Sequence, residues 1–150
     1  MTTIPVMRPT NKVPPFVKVI FKVQMFFIRR GMMGERIMII TTTGRKSGKH
    51  FSTPIGFVRD GDKLYALNRD GSSNWYKNAL ASNEATLEIG GKVFAVYAEA
   101  VTDEAERSHV FHDLYQKSQA MIYKRLGPNY NEIAFIRFTP KVEPNAGITP

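Results

Sequence analysis

Ala85-Thr86-Leu87-Glu88-Ile89-Gly90-Gly91-Lys92-Val93-Phe94-Ala95-Val96-Tyr97-Ala98-Glu99-Ala100-Val101 is the stretch whose reading decides the fold. Ala85 to Ile89 reads as one strand and Lys92 to Val101 as a longer one, with Gly90-Gly91 as the tight turn between them, because glycine accepts the positive φ that such turns require. In the longer strand Val93, Ala95, Tyr97 and Glu99 face one way and Phe94, Val96 and Ala98 the other, the two-residue period of a half-buried strand. Asp60-Gly61 repeats the hairpin signal between a strand over 51–59, interrupted early by Pro54, and a returning strand over 63–68. Residues 36–43 read as a buried strand and 132–138 as the last one. Ser73 or Asn74 is positioned to cap a short helix through Ser82. Thr102 is expected to cap a helix to about Lys117, with Asp103 and Glu104 in its first turn. A less regular stretch follows, through Tyr123 and Gly127-Pro128. Residues 16–30 read as a very apolar N-terminal helix ended by Gly31 and Gly34. The fold class is therefore mainly β with helices (α+β): about six mostly antiparallel strands closed into a barrel, an N-terminal helix, a short helix after the third strand and a helix before the last strand. The strand–helix alternation of a parallel doubly wound sheet is missing.

The chain has 150 residues, 43% of them hydrophobic, enough for one domain with a real core. That domain is expected over 16–140, behind an arm over 1–15 that holds Pro5, Pro9, Pro14 and Pro15, and ahead of a tail over 141–150. Cysteine is absent and the formal net charge is +8. The first excludes a disulfide framework and thiolate metal sites and agrees with a cytoplasmic protein. The second favours anionic partners. Residues 1–12 hold no apolar core of a leader peptide, so no secretory signal is expected. The helix over 16–30 is too short and too charged to span a bilayer, but its cations and apolar residues suit an anionic surface, peripheral on the inner face of the cell membrane. Nucleic acid is not expected, because the cations are scattered rather than interleaved with aromatics on one face.

Thr41-Thr42-Thr43-Gly44-Arg45-Lys46-Ser47-Gly48-Lys49 carries the chemistry. A strand empties into a glycine-bounded, doubly basic loop, which suits the capture of an anion by cations and amides. It is not a Walker A loop, since only three residues separate the glycines, His50 stands where a magnesium-binding hydroxyl belongs, and no helix follows. The alternative is a solvated basic turn; the bracketing glycines and Ser47 favour the anion site. Asn74-Trp75-Tyr76-Lys77-Asn78 holds the only tryptophan. Trp75 either walls a ring-binding pocket or fills the core, and Asn74 and Asn78 share a helix face. His109 and His112 lack an obvious third ligand, so no metal is expected. Neither a nucleophile elbow nor paired strand carboxylates occur, and any reactive chemistry falls to a cofactor. Tyr115, Tyr123 and Tyr130 cluster near the irregular C-terminal stretch, closing over a flat substrate or packing the helix.

With these residues in view, the chain resembles the deazaflavin-dependent nitroreductase family, the coenzyme F420-dependent oxidoreductases of the split β-barrel fold. The resemblance rests on residues 41–49, Thr53-Pro54, Asp60-Gly61, Trp75-Tyr76-Lys77-Asn78, Val101-Thr102-Asp103-Glu104 and Phe138-Thr139-Pro140, in order across about residues 36–140. It implies a split β-barrel, coenzyme F420 rather than flavin mononucleotide, and hydride transfer to a small electron-poor acceptor such as a quinone, nitro compound or enone. By the same resemblance Thr43, Gly44, Arg45, Lys46, Ser47, Gly48 and Lys49 would hold the cofactor's anionic tail, and Thr53 and Pro54 would line the path to the ring. Asn68, Trp75 and Asn78 would lie near the deazaflavin, and Tyr123 or Tyr130 would orient the acceptor. A homodimer is also expected. Three places depart from the family pattern: His50-Phe51 replaces a Pro-Arg pair, Gly71-Ser72-Ser73-Asn74 replaces its usual loop, and Ile133-Ala134 replaces an Ile-Pro pair. Some relatives bind fatty acids or other lipophiles without catalysis, which is the alternative function.

Overall fold

The computed structural model describes residues 36–141. The expected N-terminal arm and helix, and the tail beyond residue 141, lie outside the described residues. Seven strands form one sheet: β1 (Ile37–Thr43), β2 (His50–Gly56), β3 (Val58–Asp60), β4 (Lys63–Asn68), β5 (Glu84–Ile89), β6 (Lys92–Ala100) and β7 (Ala134–Pro140). Their order is β2-β1-β5-β6-β7-β4-β3, and every neighbouring pair is antiparallel.

That order forces closure. β2 and β3 sit at opposite edges, yet only Phe57 separates them. A flat seven-stranded sheet is about 29 Å across, from six interstrand spacings, far beyond the reach of one residue. The sheet therefore curls until its edges approach, as a split barrel. This explains the count of seven rather than six: the single strand expected over 51–59 turns a corner at Gly56-Phe57. Phe57 is fully buried at that corner, and its amide donates to the Arg36 carbonyl at 3.0 Å. Gln119 Nε2 fastens the corner by donating to the carbonyls of Arg36 and Phe57 at 2.9 and 3.1 Å.

Alternation along the strands sends side chains into two apolar clusters. Met38, Ile40, Leu64, Leu87, Val96 and Phe138 fill the barrel interior, closed at one end by Tyr76 and Ala79 of helix α1 (Asn74–Ser82). Each such side chain, fully buried, contributes about 1.5–3 kcal/mol relative to exposure. The opposite set, including Tyr65, Phe135, Val110, Phe111 and Tyr115, packs under the long helix α2, residues 104–118. On β6 the outward set is exposed and Val96 and Ala98 face inward, as the alternation predicts.

Three local expectations are corrected. Helix α2 is capped by Asp103, whose carboxylate accepts from the Glu106 amide at 2.9 Å, not by Thr102. Its middle, His109–Tyr115, is wound as a π-helix. The stretch expected to be irregular contains helix α3 (Ala120–Leu126) and a 3-10 turn (Gly127–Glu132). Packing of Ile122, Tyr123 and Leu126 on the second cluster supplies stability that local propensity does not reveal.

Candidate functional site

β1 runs from the barrel interior to its rim and opens into the loop over 44–49. The pairings Ile40↔Thr53 and Thr42↔Phe51 set Phe51 and Thr53 on the same side of the sheet as Thr42. The loop is cross-linked internally. The Gly44 amide donates to the Lys49 carbonyl at 2.6 Å, and the Gly48 amide to the Gly44 carbonyl at 2.9 Å. Lys49 N donates to Ser47 Oγ at 3.2 Å, and Arg45 N to Asn78 Oδ1 at 3.2 Å. Gly48 has φ +73°, which a side chain would resist. Four of the loop's amides are thus engaged within the protein. Among the described residues, the Lys46 and Ser47 amides carry no such bond. An anion held at this loop would therefore meet side chains and those two amides rather than the other four.

Helix α1 supplies the facing wall. Asn68 and Ser73 bond reciprocally: Ser73 N donates to Asn68 Oδ1 at 3.0 Å and Asn68 Nδ2 to Ser73 Oγ at 2.6 Å. Ser73 is the cap residue, but its hydroxyl serves this turn rather than the helix amides. One helical turn apart, Asn74 and Asn78 aim at the loop. Arg45 Nη1 donates to Asn78 Oδ1 at 2.7 Å, and Nη2 to Asn74 Oδ1 at 3.4 Å. Trp75 packs edge-on against Tyr76, with ring centroids 5.9 Å apart, and touches the barrel core while lining the cleft. The tryptophan thus lines the cleft with one part and packs on the core with another.

Between loop, β2 and α1 lies an open cleft of about 430 Å³, within the usual range for small-molecule sites. Of the residues expected to hold a cofactor, Gly44, Arg45, Lys46, Ser47, Thr53, Trp75 and Asn78 line it. Thr43, Gly48, Lys49, Pro54 and Asn68 do not. Thr43 and Pro54 fall on the other side of their strands, Gly48 and Lys49 shape the loop, and Asn68 fixes the turn before α1. Thr42, Phe51 and Asn74 also line the cleft, though none of them was among the residues expected to hold the cofactor. The period-two alternation from Ile40 to Thr42 was the available signal for the first, and the Asn74–Asn78 spacing for the last.

The electrostatics point one way. Among the described residues, no carboxylate lies within ion-pair distance of Arg45 or Lys46. Both partners of the Arg45 guanidinium are neutral amides, which orient it without cancelling its charge. It stands at the first turn of α1, which holds no acidic residue, so the positive end of the helix dipole adds to the same field. An anion in the cleft relieves that accumulation. The residues thus fit a group with an anionic tail and an aromatic ring.

Tyr123 and Tyr130, expected beside the acceptor, are not brought to the cleft. They stack on Phe111 in the second cluster, with ring centroids 4.7 and 5.4 Å away. The Tyr123 hydroxyl bonds His112 Nδ1 at 3.0 Å, and Tyr130 Oη donates to Glu104 at 2.8 Å. Burial, then the Glu104 hydrogen bond, pushes the Tyr130 pKa up. His109 lies between Asp113 and Asp60, at 2.8 and 3.1 Å. Its pKa is raised first by the hydrogen bond to Asp113, then by that to Asp60. Among the described residues, no group of histidines and carboxylates is arranged to hold a metal ion, and no helix is long and apolar enough to cross a membrane.

Both the sequence and the fold have known relatives. Residues 21–126 match the family model described as F420H(2)-dependent quinone reductase. An F420H(2)-dependent quinone reductase of Mycobacterium tuberculosis is 31% identical over 81 residues, 47% of this chain and 54% of that protein. The chain thus spans about half the length of the curated relatives it matches. A solved F420-H2 dependent reductase superposes with a TM-score of 0.51 at 26% identity, covering 69% of this chain and 93% of that one. A solved chain described as a domain-swapped dimer gives 0.55 at 22% identity, covering 83% and 99%, and supports the fold alone.

Proposed function

The chain belongs to the F420H(2)-dependent quinone reductase family, and on that premise we propose that it is an oxidoreductase that uses reduced coenzyme F420 to reduce a quinone. The observation that carries this reading is the pair of cations, Arg45 and Lys46, unpaired with any carboxylate among the described residues, on the rim of a cleft walled by Trp75. When bound, the reduced deazaflavin supplies a hydride; the quinone gains those two electrons and, with a further proton from water, leaves as the hydroquinone. Arg45 and Lys46 hold the anionic tail by charge-assisted hydrogen bonds, helped by the Ser47 hydroxyl. Trp75 and Phe51 offer apolar faces that shed water from a planar ring, while the Thr42 and Thr53 hydroxyls offer hydrogen bonds to its polar edge. Flavin mononucleotide, with a single phosphate, uses this basic rim less fully. Nitro compounds and enones, electron-poor like quinones, are further acceptors under this proposal.

A second reading is favoured by Phe51, 41% exposed at the cleft where the family pattern has a cation. It is a lipophile-binding protein whose ligand carboxylate meets Arg45. We also propose a homodimer, by analogy with the solved domain-swapped relative. A cytoplasmic, membrane-peripheral location rests on the composition and on residues 16–30, outside the described residues.

The test is anaerobic mixing of reduced coenzyme F420 with a soluble naphthoquinone, with and without the protein. The proposal predicts protein-dependent return of the oxidised deazaflavin absorbance, with matching loss of quinone. A rate equal to the protein-free control, with tight binding of a fatty acid in the same preparation, would replace it by the second reading.

A further inference from the structure

Asn78 is only 3% exposed, and its side-chain amide is committed at both ends. Oδ1 accepts from the Arg45 backbone amide at 3.2 Å and from Arg45 Nη1 at 2.7 Å. Nδ2 points to Thr42 Oγ1 at 3.5 Å. Two donors on one side fix which end of the amide is oxygen. One buried atom on helix α1 therefore sets both the position of the loop and the direction of its guanidinium.

Chemistry narrows what this position tolerates. An apolar residue would release Arg45 and leave its amide without a partner. A carboxylate would hold Arg45 as well or better, but would cancel its charge. A neutral acceptor orders the arginine and leaves its charge for a ligand. Of the five guanidinium N–H groups, one goes to Asn78 and one to Asn74, so among the described residues three remain for an incoming anion. We infer that Asn78 is the positioning residue of the anion site: it holds Arg45 rigid, uncompensated and aimed before the ligand arrives, so that binding loses little side-chain freedom. Asn74, at 3.4 Å and exposed, is the weaker second support. This inference rests on the proposed function only for the identity of the anion.

Asn78→Asp and Asn78→Ala separate positioning from a merely structural role. In the ligand-free chain, nitrogen relaxation at Arg45 Nε reports whether the side chain is ordered. Quenching of Trp75 fluorescence reports binding of coenzyme F420 and, separately, of the same deazaflavin lacking the phosphate-containing tail. Asn78→Asp should keep Arg45 ordered and unfold at or above the wild-type temperature, since the Thr42 hydroxyl can turn to donate to the new carboxylate. It should nevertheless bind coenzyme F420 about tenfold more weakly, and the tail-less compound as before. Asn78→Ala should free the Arg45 side chain and weaken the tailed ligand selectively. Three results overturn the inference: Arg45 equally ordered in Asn78→Ala, wild-type affinity for coenzyme F420 in Asn78→Asp, or equal weakening of both ligands. Should the wild-type chain not bind coenzyme F420 at all, the proposed function falls, while relaxation at Arg45 still decides whether Asn78 is the latch.

Discussion

Gly44→Ala, set beside Gly48→Ala, tests whether the loop's shape serves the cleft or only the fold. A Cβ on Gly44 would sit 2.7 Å from Ser47 Oγ, 2.8 Å from Phe51 Cε2 and 3.3 Å from the Lys49 carbonyl oxygen. The first two atoms are tips of side chains that can swing, and Gly44 is not among the positive-φ glycines. The cost is then the low end of overpacking, about 1 kcal/mol, offset in part by about 0.5 kcal/mol from a stiffer unfolded chain. Thermal unfolding should fall by only about 2 °C. Both displaced side chains line the cleft, however, so a ligand there should bind about tenfold more weakly, a loss of about 1.4 kcal/mol. Gly48 is the opposite case: φ is +73° and nothing lies within 4 Å of its Cβ position. Its alanine variant should lose about 1–2 kcal/mol to backbone strain alone and bind within about twofold of wild type, because no new atom enters the cleft. Differential scanning calorimetry and Trp75 quenching by coenzyme F420 give both numbers for each variant. Wild-type affinity in Gly44→Ala, or equal loss of affinity in both, would refute the reasoning.

Glu106→Ala should be strongly destabilising. It strips the acceptor from Tyr65 Oη at 2.7 Å and from Arg137 Nη1, which reaches both carboxylate oxygens at 2.8 Å. Because Glu106 and Arg137 are about a quarter exposed, the loss should be about 2–3 kcal/mol, read as a lower denaturant midpoint at unchanged slope. Partial burial pushes the Glu106 pKa up, but hydrogen bonds from Tyr65 and Arg137 outweigh it and the pKa ends below its ordinary 4.5. Its stabilisation is therefore present above 4.5 and lost as pH falls through the lowered value, so the acid limb of the wild-type stability curve should flatten in the variant. His109→Gln tests the opposite sign. The raised His109 pKa gives stabilisation present in full below the ordinary 6.5 and lost as pH rises through the raised value. The wild-type advantage in melting temperature over His109→Gln should thus be small, present below the ordinary 6.5 and lost as pH rises through the raised value; an advantage that grows with pH contradicts the ion pairs.

Features set by local geometry were legible before the fold was known. The Gly90-Gly91 and Asp60-Gly61 turns, the alternation over 93–99 and the basic loop after β1 are all short-range patterns, and the structure keeps them. What the chain hides are events decided by distant partners. The corner at Gly56-Phe57 is fastened by Gln119, more than sixty residues on, so nothing between 51 and 59 announces two strands. Helix α3 ends just before Gly127-Pro128, which reads as a breaker, and depends on packing that a single segment cannot show. Tyr123 and Tyr130 were legible as a cluster, but only topology reveals that they sit under α2 and not at the cleft. Asn68 and Asn78 are alike as residue types; one locks a turn and the other grips Arg45, a difference created by contacts between segments 33 residues apart.

The proposed function turns on one point: Arg45 and Lys46, without a carboxylate partner among the described residues, capture an anionic tail and so seat a planar ring beside Trp75. Its most direct measurement is the titration of Trp75 fluorescence with coenzyme F420 at low and high salt, in the wild type and in the doubly substituted Arg45→Ala, Lys46→Ala chain. The account predicts saturable quenching that weakens with salt in the wild type, and an affinity lower by about a hundredfold and nearly salt-independent in the double variant. Equal affinity and equal salt dependence in the two proteins would contradict it.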